Sequence, residues 1–300
     1  MMPGLSLMIF HEEVTMAING IIVTNINHAT GKYLLQTEEF LNKSKLIKDL
    51  NLTAVNNPHV LSYLKTNKVD FCLFWDKDIY LARTIEAMGI KVFNNPEAIY
   101  LCDDKALTAY ALEKENIRQP RFFVFPLHFY GNIIEHYEEY KENLLSLNFP
   151  MVIKERFGSF GEQVYLAKNE NELKDIIESH GTKPLMAQEF IGTNRGQDYR
   201  INVVGNEVIS SVLRTNDHDF RSNINQGGKA EEVSVNDEVK ALAIAATKAI
   251  KGHFAGVDIM FKGQTPVVLE VNSNMRTVAV NKVSKSDLTL KILEYIINTL

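Results

Sequence analysis

The chain is nearly free of cysteine. Cys72 and Cys102 stand far apart and form no CxxC pair, which argues against a disulfide framework or a thiolate zinc site and fits a reducing cytoplasm. No apolar run approaches the ~20 residues of a membrane span, so no membrane association is expected. The opening MMPGLSLMIFHEE lacks a basic flank and runs directly into acid, unlike a signal peptide. Residues 1–15 read as a loosely held extension ahead of Met16. Basic excess is also missing: 32 Lys and Arg face 37 Asp and Glu, a formal net charge of -5. Nucleic acid is therefore not an expected partner, and any anion binding must be local. The eight histidines make no HExxH, and there is no GxSxG elbow, which leaves hydrolase chemistry without support. No repeat or heptad pattern marks an interface, leaving a homo-oligomer open.

What is present is enough apolar residue, 45% of 300, for two or three packed units. Apolar, β-branched runs at residues 18–23, 69–74 and 90–93 read as buried strands. They alternate with segments of helical length at 33–50, 58–66 and 78–88, the last closed by Gly89. Strands alternating with helices predict a parallel, doubly wound α/β domain over residues 1–101. Asp103 and Asp104 then open a helix at 105–115. Beyond it, an α+β region spans 102–300. Its expected strands are 122–125, 151–155, 163–167, 185–190, 199–204, 207–214, 256–261 and 266–271. Helices are expected at 170–179, 236–250 and from 287 onward.

The densest chemistry lies in AGVDIMFKGQTPVVLEVNSN, residues 255–274. The segment reads as a hairpin with a three-residue turn, Gly263 to Thr265, pairing Lys262 with Pro266. That register sets Asp258 opposite Glu270, and strand alternation puts Asn272 on the same face. Two carboxylates and an amide oxygen suit a hard cation such as magnesium that shares its sphere with phosphate. A solvated outer face is the alternative, although acids set among VDIMF and VVLEV favour a cleft. VIKERFGSFGEQVYL, residues 152–166, carries Lys154 on a strand followed by Gly158, Ser159, Phe160 and Gly161, a composition that suits either a phosphate cradle or an ordinary hairpin turn. It is not a P-loop, and TGKY at 30–33 has no Walker A spacing. LMAQEFIG, residues 185–192, reads as a strand running into an adenine-flanking hinge or as a plain core strand. DFRSNINQGG, residues 219–228, is a loop with anion-binding potential. Arg200 and Arg214 on flanking strands either clamp phosphate or carboxylate or form surface ion pairs.

The order of these segments, from the strand lysine and GSxG loop through QEFI, DxR, DFRSN with GG, and AGVD to EVNSN, resembles the RimK-like family of ATP-grasp ligases over residues 103–297. The resemblance implies an ATP-grasp fold of two α+β lobes, a smaller nucleotide lobe at about 120–190 and a catalytic remainder, preceded by a Rossmann-like pre-ATP-grasp domain. It implies Lys105 and Lys154 on phosphates, residues 158–161 as a lid, Gln188, Glu189, Phe190 and Ile191 at adenine, and Asp198 at ribose. It places Arg221, Ser222 and Asn223 around the phosphate and acyl phosphate, with Arg200 also catalytic. Asp258, Glu270 and Asn272 would hold magnesium, two ions in all, with manganese as a substitute. Arg214, Ser273 and Arg276 would face substrate. The implied activity is ADP-forming ligation of a carboxylate to an amine, with an amino acid such as glutamate added to a small molecule or peptide. Two departures, Glu155–Arg156 after Lys154 and MRTVAVN after EVNSN, fall near the acceptor. The alternatives are an ATP-grasp kinase and a non-catalytic nucleotide-binding protein.

Overall fold

The computed structural model describes residues 17–28, 31–158, 161–193, 196–222 and 228–300, for His28 and Lys32 the backbone only. The extension expected at residues 1–15, together with Ser159, Phe160 and Asn223, lies outside the described residues.

The first sheet consists of β1 (Ile18–Thr24), β2 (Leu50–Asn56), β3 (Phe71–Trp75) and β4 (Lys91–Phe93). Its order is β2-β1-β3-β4 and every pairing is parallel. The crossovers are α1 (Gly31–Ser44), α2 (Val60–Leu64) and α3 (Ile79–Ala87). The helix expected over 33–50 stops at Ser44, and the chain re-enters the sheet as β2, a strand the sequence reading missed. Its burial alternates weakly because it lies at the sheet edge, so it offers no continuous apolar run.

Helix α4 (Pro96–Asp103) and α5 (Lys105–Lys114) follow. The carboxylate of Asp104 caps α5 by accepting from the Ala106 amide, and it also receives the Arg156 guanidinium. The Lys105 amide donates to the Arg156 carbonyl at 3.0 Å. These contacts fasten the start of α5 to the strand that leads into the glycine loop. Next come β5 (Phe122–Val124), α6 (Tyr137–Leu145), β6 (Met151–Glu155), β7 (Val164–Ala167), α7 (Glu170–His180) and β8 (Leu185–Glu189), with an antiparallel sheet in the order β5-β8-β6-β7.

The third sheet, β11-β10-β9-β12-β13, is also antiparallel. It comprises β9 (Gln197–Val204), β10 (Glu207–Thr215), β11 (Lys229–Glu232), β12 (Phe254–Lys262) and β13 (Thr265–Asn272), with α8 (Asp237–Ala249) between β11 and β12. Its faces are sharply divided. Ile201, Val203, Val257, Ile259 and Val271 pack under Val239, Leu242, Ala243 and Ala246 of α8, each buried side chain contributing roughly 1.5–3 kcal/mol. Alternation then forces Asp198, Arg200, Asn202, Asp258, Glu270 and Asn272 onto the opposite face. Two short closing elements, α9 (Thr277–Asn281) and α10 (Leu288–Thr299), turn back to the first sheet. Leu288, Ile292, Leu293 and Ile296 share a core with Ile22, Phe40, Leu73 and Phe254. Buried Asn94 ties the two sheets together: its amide donates to the Phe254 and Ser273 carbonyls at 2.8 Å each, and its oxygen accepts from the His253 and Phe254 amides.

Candidate active site

The β12–β13 hairpin differs from expectation at its turn and agrees where the acids sit. Lys262 pairs with Thr265, so the turn has two residues, with Gly263 at the left-handed position such turns require, φ +65°. This register alone would misalign the acids by one place. A bulge at Leu269 restores it: Ile259 pairs with Val268 and Asp258 with Glu270. The bulge also turns Leu269 toward a cavity shared with Glu270, the kind of re-aiming that bulges provide beside functional sites.

Asp258 is only 4% exposed, which removes the solvated-face alternative. Arg200 and Arg214 form ion pairs, but mostly buried ones and not on the surface, and both reach Asp258. Arg200 Nη2 donates to Oδ2 at 2.9 Å and its Nε donates to Oδ1, while Arg214 Nη2 lies 2.9 Å from Oδ1. Arg214 also grips Asp198, Nε to Oδ1 at 2.6 Å. Burial raises the Asp258 carboxyl, but the two guanidinium groups outweigh it and hold it below the usual carboxylate range. Burial raises Asp198 above that range, and the charge of Asp258 adds to this against the pull of Arg214. Gly256 makes room for the network, because a Cβ there would lie 2.8 Å from Arg200 Nη1.

Lys154 Nζ donates to Gln188 Oε1 at 2.5 Å. Burial lowers its ammonium to about 8, with Lys105 acting in the same sense and Glu270 and Asp258 opposing. Lys105 Nζ donates to the Gly158 carbonyl at 2.9 Å and Arg221 Nη1 to the Gly161 carbonyl at 2.8 Å. Both cations thus grip the ends of the glycine loop. Gly158 has φ +144°, and a Cβ there would meet Gln163 Oε1 at 2.5 Å, so only glycine fits. The Glu189 carboxylate receives Lys262 Nζ at 2.5 Å and Arg121 from the far side.

Two cavities meet at the acids. The smaller, about 100 Å³, holds Lys105, Lys154, Gly161, Gln188, Glu189, Phe190, Ile191, Asp198, Arg221 and Ser222 in its walls. The larger, about 440 Å³, holds Gly158, Arg200, Asn272, Ser273 and Arg276. Asp258, Glu270 and Arg214 belong to both. Every described residue singled out from the sequence therefore lines one cavity or the other. Sequence reasoning missed Phe220 and Met260 in the smaller cavity and Tyr33, Gln36, Trp75, Asp76 and Lys77 in the larger. Met260 was available from alternation, two places beyond Asp258, and Phe220 lies beside Arg221 in the 219–228 segment; the others come from segments distant in sequence. Cys102 also lines the larger cavity, with its thiol pushed up to about 12 by burial, which keeps it protonated and unreactive.

Among the described residues no three His, Cys, Asp or Glu side chains gather to hold an ion alone. The donor set nevertheless fits magnesium, which takes few protein ligands and fills its octahedron with phosphate oxygens and water. Three of the roughly four lone-pair positions of Asp258 accept from guanidinium groups, which leaves one for a cation. Glu270 and Asn272 stand beside it on the same face. Among the described residues no helix is long and apolar enough to cross a membrane.

This architecture is that of the ATP-grasp enzymes. D-alanine–D-alanine ligase from Bacillus anthracis superposes with a TM-score of 0.70 over 95% of this chain and 98% of its own, at 18% identity. Residues 102–296 match the RimK-like ATP-grasp domain. The chain belongs to that family and is an ATP-dependent carboxylate–amine ligase. Its relatives include the uncharacterised MG012 homologue of Mycoplasma pneumoniae, 30% identical over 84% of this chain and 92% of the relative. A protein of Maridesulfovibrio salexigens named "Probable alpha-L-glutamate ligase" is 33% identical over 72% of this chain and 70% of its own length.

Proposed function

We propose that the chain joins the carboxylate of one substrate to the amine of another through an acyl phosphate, releasing ADP and phosphate. The observation that carries this is the sharing of Asp258, Glu270 and Arg214 between the two cavities: a group transferred from one to the other passes these three side chains. ATP occupies the smaller cavity, its adenine between Phe190 and Ile191, its ribose near Asp198 and its phosphates toward Lys105, Lys154, Arg221, Ser222 and Asn223 under the loop of residues 158–161. Residues 1–101 form the pre-ATP-grasp domain, and 102–300 the ATP-grasp domain with its nucleotide lobe at about 120–190.

A carboxylate oxygen attacks the γ-phosphorus and the bond to the β-phosphate oxygen breaks, so ADP leaves. Arg200 and Arg214 face the carboxylate and the phosphoryl oxygens, on which charge spreads in the transition state. The amine nitrogen then attacks the acyl carbon, the carbon–oxygen bond to phosphate breaks, and the amine loses a proton. Ser273 and Arg276 position the substrates, and the loop excludes water that would hydrolyse the acyl phosphate. Asp258, Glu270 and Asn272 hold magnesium, two ions in all or manganese in their place, which supplies neutralisation of the phosphate charge. An amino acid such as glutamate is the amine, the acceptor is a small molecule or peptide, and the setting is the cytoplasm.

The test supplies 18O-labelled carboxylates with MgATP and amines. Transfer of one 18O into the released phosphate, lost in Glu270→Gln while the fold persists, is the expected result. A phosphomonoester product without amide would overturn the reading.

A further inference from the structure

The larger cavity has an end that the ligation chemistry above does not use. The parallel sheet order β2-β1-β3-β4 places its switch point between β1 and β3, and ligands of such sheets settle outside the carboxyl ends of the strands at that crevice. Asn25 follows β1 there, and Asp76 follows β3. Asp76 is 5% exposed and lines the cavity. Among the described residues it has no cationic partner. Its carboxylate accepts the Lys77 amide at 2.6 Å and Asn25 Nδ2 at 3.3 Å, while the Lys77 ammonium is turned to Asp103. A buried carboxylate held by neutral donors alone is a costly arrangement unless a cation arrives.

Asn274 supplies a second, independent sign. Its Nδ2 donates to the Asp76 carbonyl at 3.3 Å, and its Oδ1 is buried with no hydrogen-bond donor among the described residues. Asn274 lines the same cavity, as does Trp75, whose ring packs against Phe40 and Phe254 and serves as apolar wall. Carboxylate and orphaned amide oxygen call for the same complement, a compact group rich in N–H donors.

We propose that Asp76 and Asn274 form a subsite for a protonated amine, so that one substrate carries an ammonium group in addition to the group that reacts. The reacting amine must be neutral to attack, so the ammonium at Asp76 is a recognition group and not the nucleophile. The proposal rests on the ligase reading for its place in a reaction. It admits two sources: an amino acid that offers its carboxylate for phosphorylation, or a diamine or basic amino acid that offers its second nitrogen.

Titration calorimetry on protein saturated with MgADP tests the subsite without turnover, using lysine, ornithine, alanine, glutamate and putrescine as probes beside succinate and the N-acetylated forms. At least one ammonium-bearing probe should bind, its fully N-acetylated form should not, and Asp76→Asn should weaken it by about 10- to 100-fold, the range of a charge-assisted hydrogen bond. Asn274→Ala should weaken the same probe, which keeps the proposal testable if Asp76→Asn misfolds. Failure of every ammonium-bearing probe to bind, equal binding of the acetylated forms, or unchanged affinity in both variants would overturn it. Mass spectrometry of the amide formed with MgATP separates the sources by showing which half carries the free ammonium. If probes bind as expected and no pair releases ADP, the ligase reading fails and the subsite stands.

Discussion

The depressed ammonium of Lys154 ties nucleotide affinity to pH in a way that can be worked out in advance. Its group titrates at about 8 in the free protein because burial, assisted by Lys105, outweighs the attraction of Glu270 and Asp258. A lysine on phosphate must carry its proton, and bound polyphosphate holds that proton to much higher pH. Affinity therefore follows the protonated fraction of the free protein, about 90% at pH 7 and about 10% at pH 9. ATP should bind about tenfold more weakly at pH 9 than at pH 7, with the bend near 8. Lys154→Met retains the stem and removes the proton, so its affinity should be lower at pH 7 by about 10- to 100-fold and flat across the range. The two curves should converge at high pH. The stability of the free protein should move the opposite way: the unfolded chain binds more protons between about 8 and 10.4, so this lysine adds stability as pH rises through that window. Titration of a fluorescent ATP analogue reads the first effect, and urea melts of wild type against Lys154→Met read the second. A wild-type affinity flat from pH 7 to 9, or the same bend in Lys154→Met, would refute the placement of this ammonium on phosphate.

Three further variants probe the frame. Asn94→Ala removes four hydrogen bonds from a fully buried side chain and should cost about 3 kcal/mol in chemical denaturation; a loss under about 1 kcal/mol would show the joint between the sheets is carried elsewhere. Gly256→Ala pushes a methyl group against Arg200 and should lower kcat/KM at least about tenfold while nucleotide affinity holds, a split that kinetics and equilibrium binding report together. Arg214→Met strips the shared cation from Asp198 and Asp258. It should destabilise by about 3–5 kcal/mol near neutral pH, because buried Asp198 loses its guanidinium and buried Asp258 keeps only Arg200. The sign with pH follows from their carboxyls rising once the guanidinium is gone: the loss should shrink as acid protonates them, so urea melts at pH 5 should show a smaller deficit than at pH 7.5.

How much of this was legible follows from which forces act locally. Strands buried on both faces, such as β3 with FCLFW, announce themselves by continuous apolar residues. Edge elements do not: β2 and β11 are half exposed, and α6, YEEYKENLL, reads as surface charge until Tyr137, Tyr140 and Leu144 are seen packed inward. The hairpin acids were placed correctly by a wrong path, since a three-residue turn without a bulge and a two-residue turn with one give the same pairing of Asp258 with Glu270. Alternation along a strand is robust to such errors once one face is fixed by an apolar partner, here α8. Arg156 was read only as a departure from the family, and its work, joining Asp104 to the strand before the glycine loop, needed coordinates.

The residues of the first sheet illustrate a more general division. Lys154, Asp258, Glu270 and Asn272 come from segments whose local pattern betrays them, because a polar residue in an apolar strand is costly unless it serves a site. Trp75, Asp76 and Lys77 terminate a strand, where polar residues are common, so their sequence context carries no such signal. They reach the cavity because the sheet order and the closing helices bring α1 and the end of β3 against residues 273–276: Gln36 Nε2 donates to the Met275 carbonyl at 2.6 Å, and Asn274 donates to the Asp76 carbonyl. Asn274, the last residue of EVNSN, thus meets the end of β3, and Met275, the first of the segment that departs from the family, meets α1. Both sides of the larger cavity's far end therefore meet at Asp76 and Asn274, one from the first sheet and one from the end of β13's extension.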